Sequence, residues 1–136
     1  MEQDDHTDKE IQNILSLKRV VVIGMSKNSS KAAHYVPKYL LDHGFEITPV
    51  NPTTDEILGK KCHSSVLNVD DSIDIVNIFR PSNDVLSFVK DAIKKKPKVI
   101  WLQEGIHNSE AEDLARKEGI AVVFNRCMLA EHKRLC

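Results

Sequence analysis

The chain has 136 residues, 41% hydrophobic and 29% charged, with a formal net charge of -1. That length builds one domain with a real core and falls short of two. A near-neutral chain with 5% aromatic residues lacks the basic face and the stacking platform of a nucleic-acid binder, so no nucleic-acid partner is expected. Cys62, Cys127 and Cys136 form no CxxC pair and no even-numbered framework. This points away from zinc and disulfides and towards a reducing, cytoplasmic setting. His34, His43, His63, His107 and His132 show no ligand spacing, so no metal is expected. No stretch is long and apolar enough to span a bilayer, and no membrane partner is expected.

Residues 1–10 are polar and acid-rich and are expected to fray at their start. Thr7 and Glu10 have capping-box spacing. With Ile11, Ile14, Leu15 and Leu17 at helical intervals, they predict a short amphipathic helix from about residue 7 to 16. Residues 1–18 thus read as a tail and helix ahead of a domain at 19–136. Residues 20–23 are β-branched and apolar without alternation, the pattern of a strand covered on both faces. Gly24 supplies a sharp turn. Ser26, Asn28, Ser29 and Ser30 are all able to cap the helix predicted over 32–44, in which Pro37 calls for a late start or a kink. Residues 45–50 form the second strand, stopped by Asn51 and Pro52. Residues 60–63 predict a brief edge strand, and Ser64 and Ser65 the cap of a single turn. A strand at 73–79 follows, then a helix at about 83–95 capped by Ser82, and a strand at 98–102. After the turn at Gln103, Glu104 and Gly105 come a helix at 109–118, a strand at 120–124 and a terminal helix at 128–135.

This alternation predicts an α/β fold: a Rossmann-like, doubly wound, mostly parallel sheet, one domain in three layers, with strand order 3-2-1-4-5-6 and a short third strand. Such sheets bind ligands outside the carboxyl ends of their strands, where the order reverses. Residues 24–31, 51–52 and 79–81 would meet there. A helix N-terminus favours an anion, and Lys27 and Lys31 add charge beside it. The turn has one glycine where GxGxxG needs three, and it has no GKS or GKT. The second strand ends in Asn51, not in the acid that holds a free ribose diol. The remaining chemistry suits a nucleotide whose ribose carries a phosphate.

Six segments then stand in order from about Arg19 to Leu135: VVIGMS with Lys31, YL with HGFEITPVNP, ILGKKCHSSV, DIVNIFRP, VIWLQEGI and VVFNRCMLAEHKRL. Together they resemble the small stand-alone CoA-binding proteins, relatives of the CoA-binding domain of the succinyl-CoA synthetase alpha subunit. The resemblance implies a Rossmann-like fold whose cofactor is coenzyme A or an acyl-CoA. It implies that Gly24, Ser26 and Lys27 line the turn that meets pantetheine and phosphates, with Lys31 on a phosphate. Asn51 and Pro52 would lie by the adenosine, and Phe79 and Arg80 would flank the nucleotide. Gln103, Glu104 and Gly105 would meet the pantetheine. Lys31 stands where the family usually has Arg, a point charge in place of a two-pronged contact.

Each of these residues also has a plainer reading. Gly24 can serve a tight turn alone, Lys31 can be a solvated lysine, Arg80 can pair with a nearby acid, and Asn51 can satisfy its own backbone. Trp101 reads as core, with an indole N–H that needs a partner. Glu131 and His132 have no nucleophile placed beside them by sequence. Cys127, at the start of the last helix beside Arg126, reads either as a small buried residue or as a reactive thiol able to pair with that of CoA.

Three functions follow, in order of preference. The first is a non-catalytic protein that holds CoA or an acyl-CoA, because the chain ends before the synthetase's second domain could fit. The second is the CoA-binding subunit of an acyl-CoA ligase or transferase whose partner brings the chemistry. The third is an NAD(P)-binding oxidoreductase. A homodimer and a ligase partner subunit are the protein partners left open.

Overall fold

The computed structural model describes residues 1–136. Its strands are Arg19–Ile23 (β1), Glu46–Val50 (β2), Glu56–Ile57 (β3), Lys60–Lys61 (β4), Ile75–Ile78 (β5), Val99–Leu102 (β6) and Ala121–Val123 (β7). Its helices are Asp8–Leu15 (α1), Ala32–Asp42 (α2), Val85–Lys94 (α3), Ser109–Lys117 (α4) and Met128–Leu135 (α5). The uninterrupted apolar runs become interior strands, as a sheet covered on both faces requires. Five strands pair in parallel in the order β2-β1-β5-β6-β7.

Alternate residues of each strand feed two separate cores. Val21, Ile23, Val76, Ile78, Ile100 and Leu102 pack beneath α3 and α4. Val20, Val22, Ile75, Val99 and Trp101 pack beneath α1, α2 and α5. The result is the three-layer, doubly wound fold that the alternation of elements predicted. The sheet order reverses beside β1: β2 lies on one side of it and β5 on the other.

The short third strand is reduced further than expected. Leu58 and Gly59 both take positive φ, 52° and 74°, as a tight hairpin turn requires. They fold β4 back on β3 in a separate two-stranded piece. Only His63 reaches the main sheet, bridging Val50. Its N–H donates to the Pro49 carbonyl at 3.0 Å, and its own carbonyl accepts the Asn51 N–H at 2.9 Å.

The N-terminal helix forms with both capping-box bonds between Thr7 and Glu10, and Ile11 and Leu15 are buried. Part of the segment before it is fastened to the domain. Asp4 is held against the end of β7, where its carboxylate accepts the Phe124 N–H at 3.2 Å. Ser82 does not cap α3. Its hydroxyl oxygen accepts the His107 N–H at 3.1 Å, which ties the end of β5 to the loop after β6.

Candidate functional site

At the reversal point the ends of β1, β2 and β5 converge on Gly24. Its φ is +82°, and a Cβ placed there would lie 2.6 Å from the Phe79 carbonyl oxygen and 3.1 Å from Arg80 Cδ. Its N–H donates to the Val50 carbonyl at 3.0 Å. Met25 is buried and anchors the turn in the core. Asn51 Nδ2 donates to the Met25 carbonyl at 2.9 Å, while Oδ1 accepts both the N–H and the hydroxyl of Thr53 at 2.8 Å. Asn51 therefore stitches β2 to the turn after β1.

The polar residues of that turn bond to one another and leave the helix uncapped. Ser26 Oγ accepts the Asn28 N–H at 3.0 Å, and Asn28 Oδ1 accepts the Ser30 N–H at 3.0 Å. Lys31 occupies the cap position of α2 and makes no side-chain cap bond. The N–H groups of Ala32 and Ala33 find no backbone or side-chain acceptor, so the helix tip keeps donors and the positive end of its dipole for an anion.

Pro37 helps to build this tip. A proline at this position has no N–H for the Ala33 carbonyl four residues back. That carbonyl instead accepts the Ser26 N–H at 3.1 Å, and His34 Nδ1 lies 2.7 Å from the Ser26 carbonyl. The turn is thus fastened to the helix by the bond that proline releases. Pro37→Ala restores a competing donor. The Ser26 amide is then expected to exchange with solvent about tenfold faster, the loss of roughly one net hydrogen bond, with helix content unchanged by circular dichroism. Unaltered exchange at Ser26 would show that the turn does not depend on the proline.

A cavity of about 540 Å³ opens at this point. Of the residues expected at a site, Gly24, Ser26, Lys31, Asn51, Pro52 and Arg80 line it. Lys27 is exposed on the outer turn, and Phe79 turns half-buried towards the core beneath α2 and α5. Arg80 pairs with Asp84 at 3.2 Å, its guanidinium lies 5.7 Å from the Phe88 ring centre, and its Nε is buried without a partner. Ser64, Ser65, Phe88 and Asp91 are among the other lining residues, and the sequence reading placed none of these four at the site. The one available signal was Phe88, a large apolar residue outside the main stripe of its helix. Ser65 does cap the single turn at 66–68.

Gln103, Glu104 and Gly105 stand outside the cavity, at the ends of β6. Gln103 is buried and its Oε1 accepts from Asn77 at 3.4 Å. The Gly105 N–H donates to Asn125 Oδ1 at 2.7 Å. Trp101 is buried in the core, and its indole N–H donates to the Arg126 carbonyl at 2.8 Å. Cys127 occupies the cap position of α5, half-buried against the same core and outside the cavity lining. His132 Nδ1 lies 2.8 Å from the Tyr39 hydroxyl. Burial, then the nearby His43 and Lys18, push its pKa below the ordinary histidine value.

The chain matches the family described as "CoA binding domain" over residues 18–133. It is 39% identical over 124 residues to the uncharacterized protein YneT of Bacillus subtilis (strain 168), spanning 90% of this chain and 92% of that one. It is 33% identical over 129 residues to the ADP-forming acetate–CoA ligase of Methanocaldococcus jannaschii, spanning 89% of this chain but 18% of the enzyme. The solved structure of a hypothetical protein from Pyrococcus horikoshii OT3 superposes with a TM-score of 0.94 at 41% identity, covering 99% of each chain.

Proposed function

The chain belongs to the family of CoA-binding domains, and from that premise we propose that it holds coenzyme A or an acyl-CoA and does no chemistry itself. The observation that carries this reading is the uncapped tip of α2 opening beside the cavity, with Lys31 at its edge and Arg80 across from it. The diphosphate takes the helix tip, and the phosphorylated adenosine takes the cavity between the strand ends. Asn51 weighs against a free ribose diol. Its side-chain oxygen already accepts two bonds from Thr53 and carries no charge to attract hydroxyl donors. Lys27 falls to the outer turn, Gln103, Glu104 and Gly105 to the path of the pantetheine arm, and Phe79, turned towards the core, to holding the strand end beside the nucleotide. Cys127 lies on that same side of the sheet.

Titration calorimetry with CoA, 3′-dephospho-CoA and NAD tests the proposal. CoA is expected to bind, removal of the 3′-phosphate to weaken binding about tenfold, the loss of one charge-assisted contact, and NAD to give no heat. A protein that ignores CoA at millimolar concentration ends this reading, and one that takes NAD instead is an oxidoreductase candidate. A second reading, in which the chain serves a separate ligase subunit, draws on its likeness to a segment spanning 18% of an acetate–CoA ligase. Co-purification of a ligase subunit with the native protein distinguishes it.

A further inference from the structure

The polar N-terminal arm makes an ion pair deep in the fold at a place the cavity does not reach. The Asp4 side chain is 2% exposed and lies 3.0 Å from the Arg126 guanidinium, itself 15% exposed. Arg126 Nη2 also donates to the carbonyls of Asp4 at 3.1 Å and His6 at 2.8 Å, and Glu131 of α5 stands 3.6 Å from its Nη1. One guanidinium therefore gathers the arm, the loop after β7 and the last helix.

A buried ion pair is weak support for stability, because desolvation offsets most of its attraction. What this pair does is fix a loop. Asn125, at φ +53°, bonds through Oδ1 to the Gly105 N–H and through its N–H to the Ile106 carbonyl. The Arg126 carbonyl accepts the Trp101 indole. Loop 125–127 and turn 103–105 are thus one hydrogen-bonded unit, and the arm clamps it from behind. Turn 103–105 follows β6, two strand positions from β1, and loop 125–127 follows β7, three positions away, about 10 to 14 Å along the carboxyl edge of the sheet. A pantetheine arm leaving the tip of α2 spans that distance.

We infer that the N-terminal arm is a strap, with Asp4 and Arg126 as positioning residues that hold loop 125–127 and turn 103–105 in place for the pantetheine end of the ligand. This rests on the coenzyme A reading. The test compares CoA with adenosine 3′,5′-bisphosphate, which lacks the pantetheine, on wild-type protein and on Asp4→Asn and Asp4→Glu. Asp4→Asn is expected to weaken CoA about tenfold and to leave the bisphosphate within twofold, and Asp4→Glu to recover most of the loss. A melting curve accompanies each variant, because general destabilisation would weaken both ligands alike. Equal losses, or none, would overturn the strap while leaving the coenzyme A reading intact. Wild-type protein that binds neither ligand would overturn both.

Discussion

Gly24→Ala is expected to lower the melting temperature by about 10 °C and to reduce affinity for the proposed ligand, CoA, at least tenfold. Two effects add. The residue sits at φ +82°, where a side chain is strained, and its Cβ would meet the Phe79 carbonyl oxygen at 2.6 Å. Left-handed strain alone is about 1 kcal/mol. Backbone must also shift to relieve the contact, and the total is roughly 3 kcal/mol, near the upper end of ordinary single substitutions. The shift moves the end of β5 away from β1, which widens the cavity where Arg80 faces the turn. Gly44→Ala is the control. Gly44 has φ +90° but nothing within 4 Å of its added Cβ, so it carries the strain alone, about 1 kcal/mol, with ligand binding unchanged. Equal losses at the two positions would show that the crossing of β1 and β5 has no special tightness.

Trp101→Ala is expected to reduce stability by about 3–5 kcal/mol in urea denaturation, the usual range for removing a large buried aromatic. Trp101 is fully buried and stands in register with Asn77 of β5 and Val123 of β7. Its bulk fills the core beneath α1, α2 and α5. Trp101→Phe separates packing from hydrogen bonding. It keeps most of the apolar volume and leaves the Arg126 carbonyl without its donor, a change of about 1–2 kcal/mol. If the two variants were equally unstable, the indole N–H and not the ring would be the main contribution.

Much of this was legible in the chain itself. The runs at 20–23 and 99–102 are apolar without alternation, and only a sheet covered on both faces accepts such strands. Strands alternating with amphipathic helices then leave few topologies. That was enough to place Gly24, Asn51 and Arg80 at one crevice, because each follows a strand whose end must reach it. The Thr7–Glu10 box was readable for a similar reason: both of its bonds span three residues.

Most of what the sequence could not supply depends on residues far apart in the chain, and the rest on competition within one turn. Ser26 and Asn28 have the chemistry of helix caps, but neighbours in the folded turn take their side chains first. Ser82 was free by local rules to cap α3, yet His107 claims it from 25 residues away. Phe88 and Asp91 enter the cavity only because α3 lies against that end of the sheet. The acidic N-terminus looked like solvent-exposed tail until β7 brought Arg126 and the Phe124 N–H to meet Asp4. Local patterning determined the elements, their order and the crevice, since those follow from backbone geometry and apolar burial along the chain. Tertiary structure alone decided which distant polar groups meet, because a hydrogen bond between residues far apart in the chain has no trace in local sequence until packing brings donor and acceptor to about 3 Å.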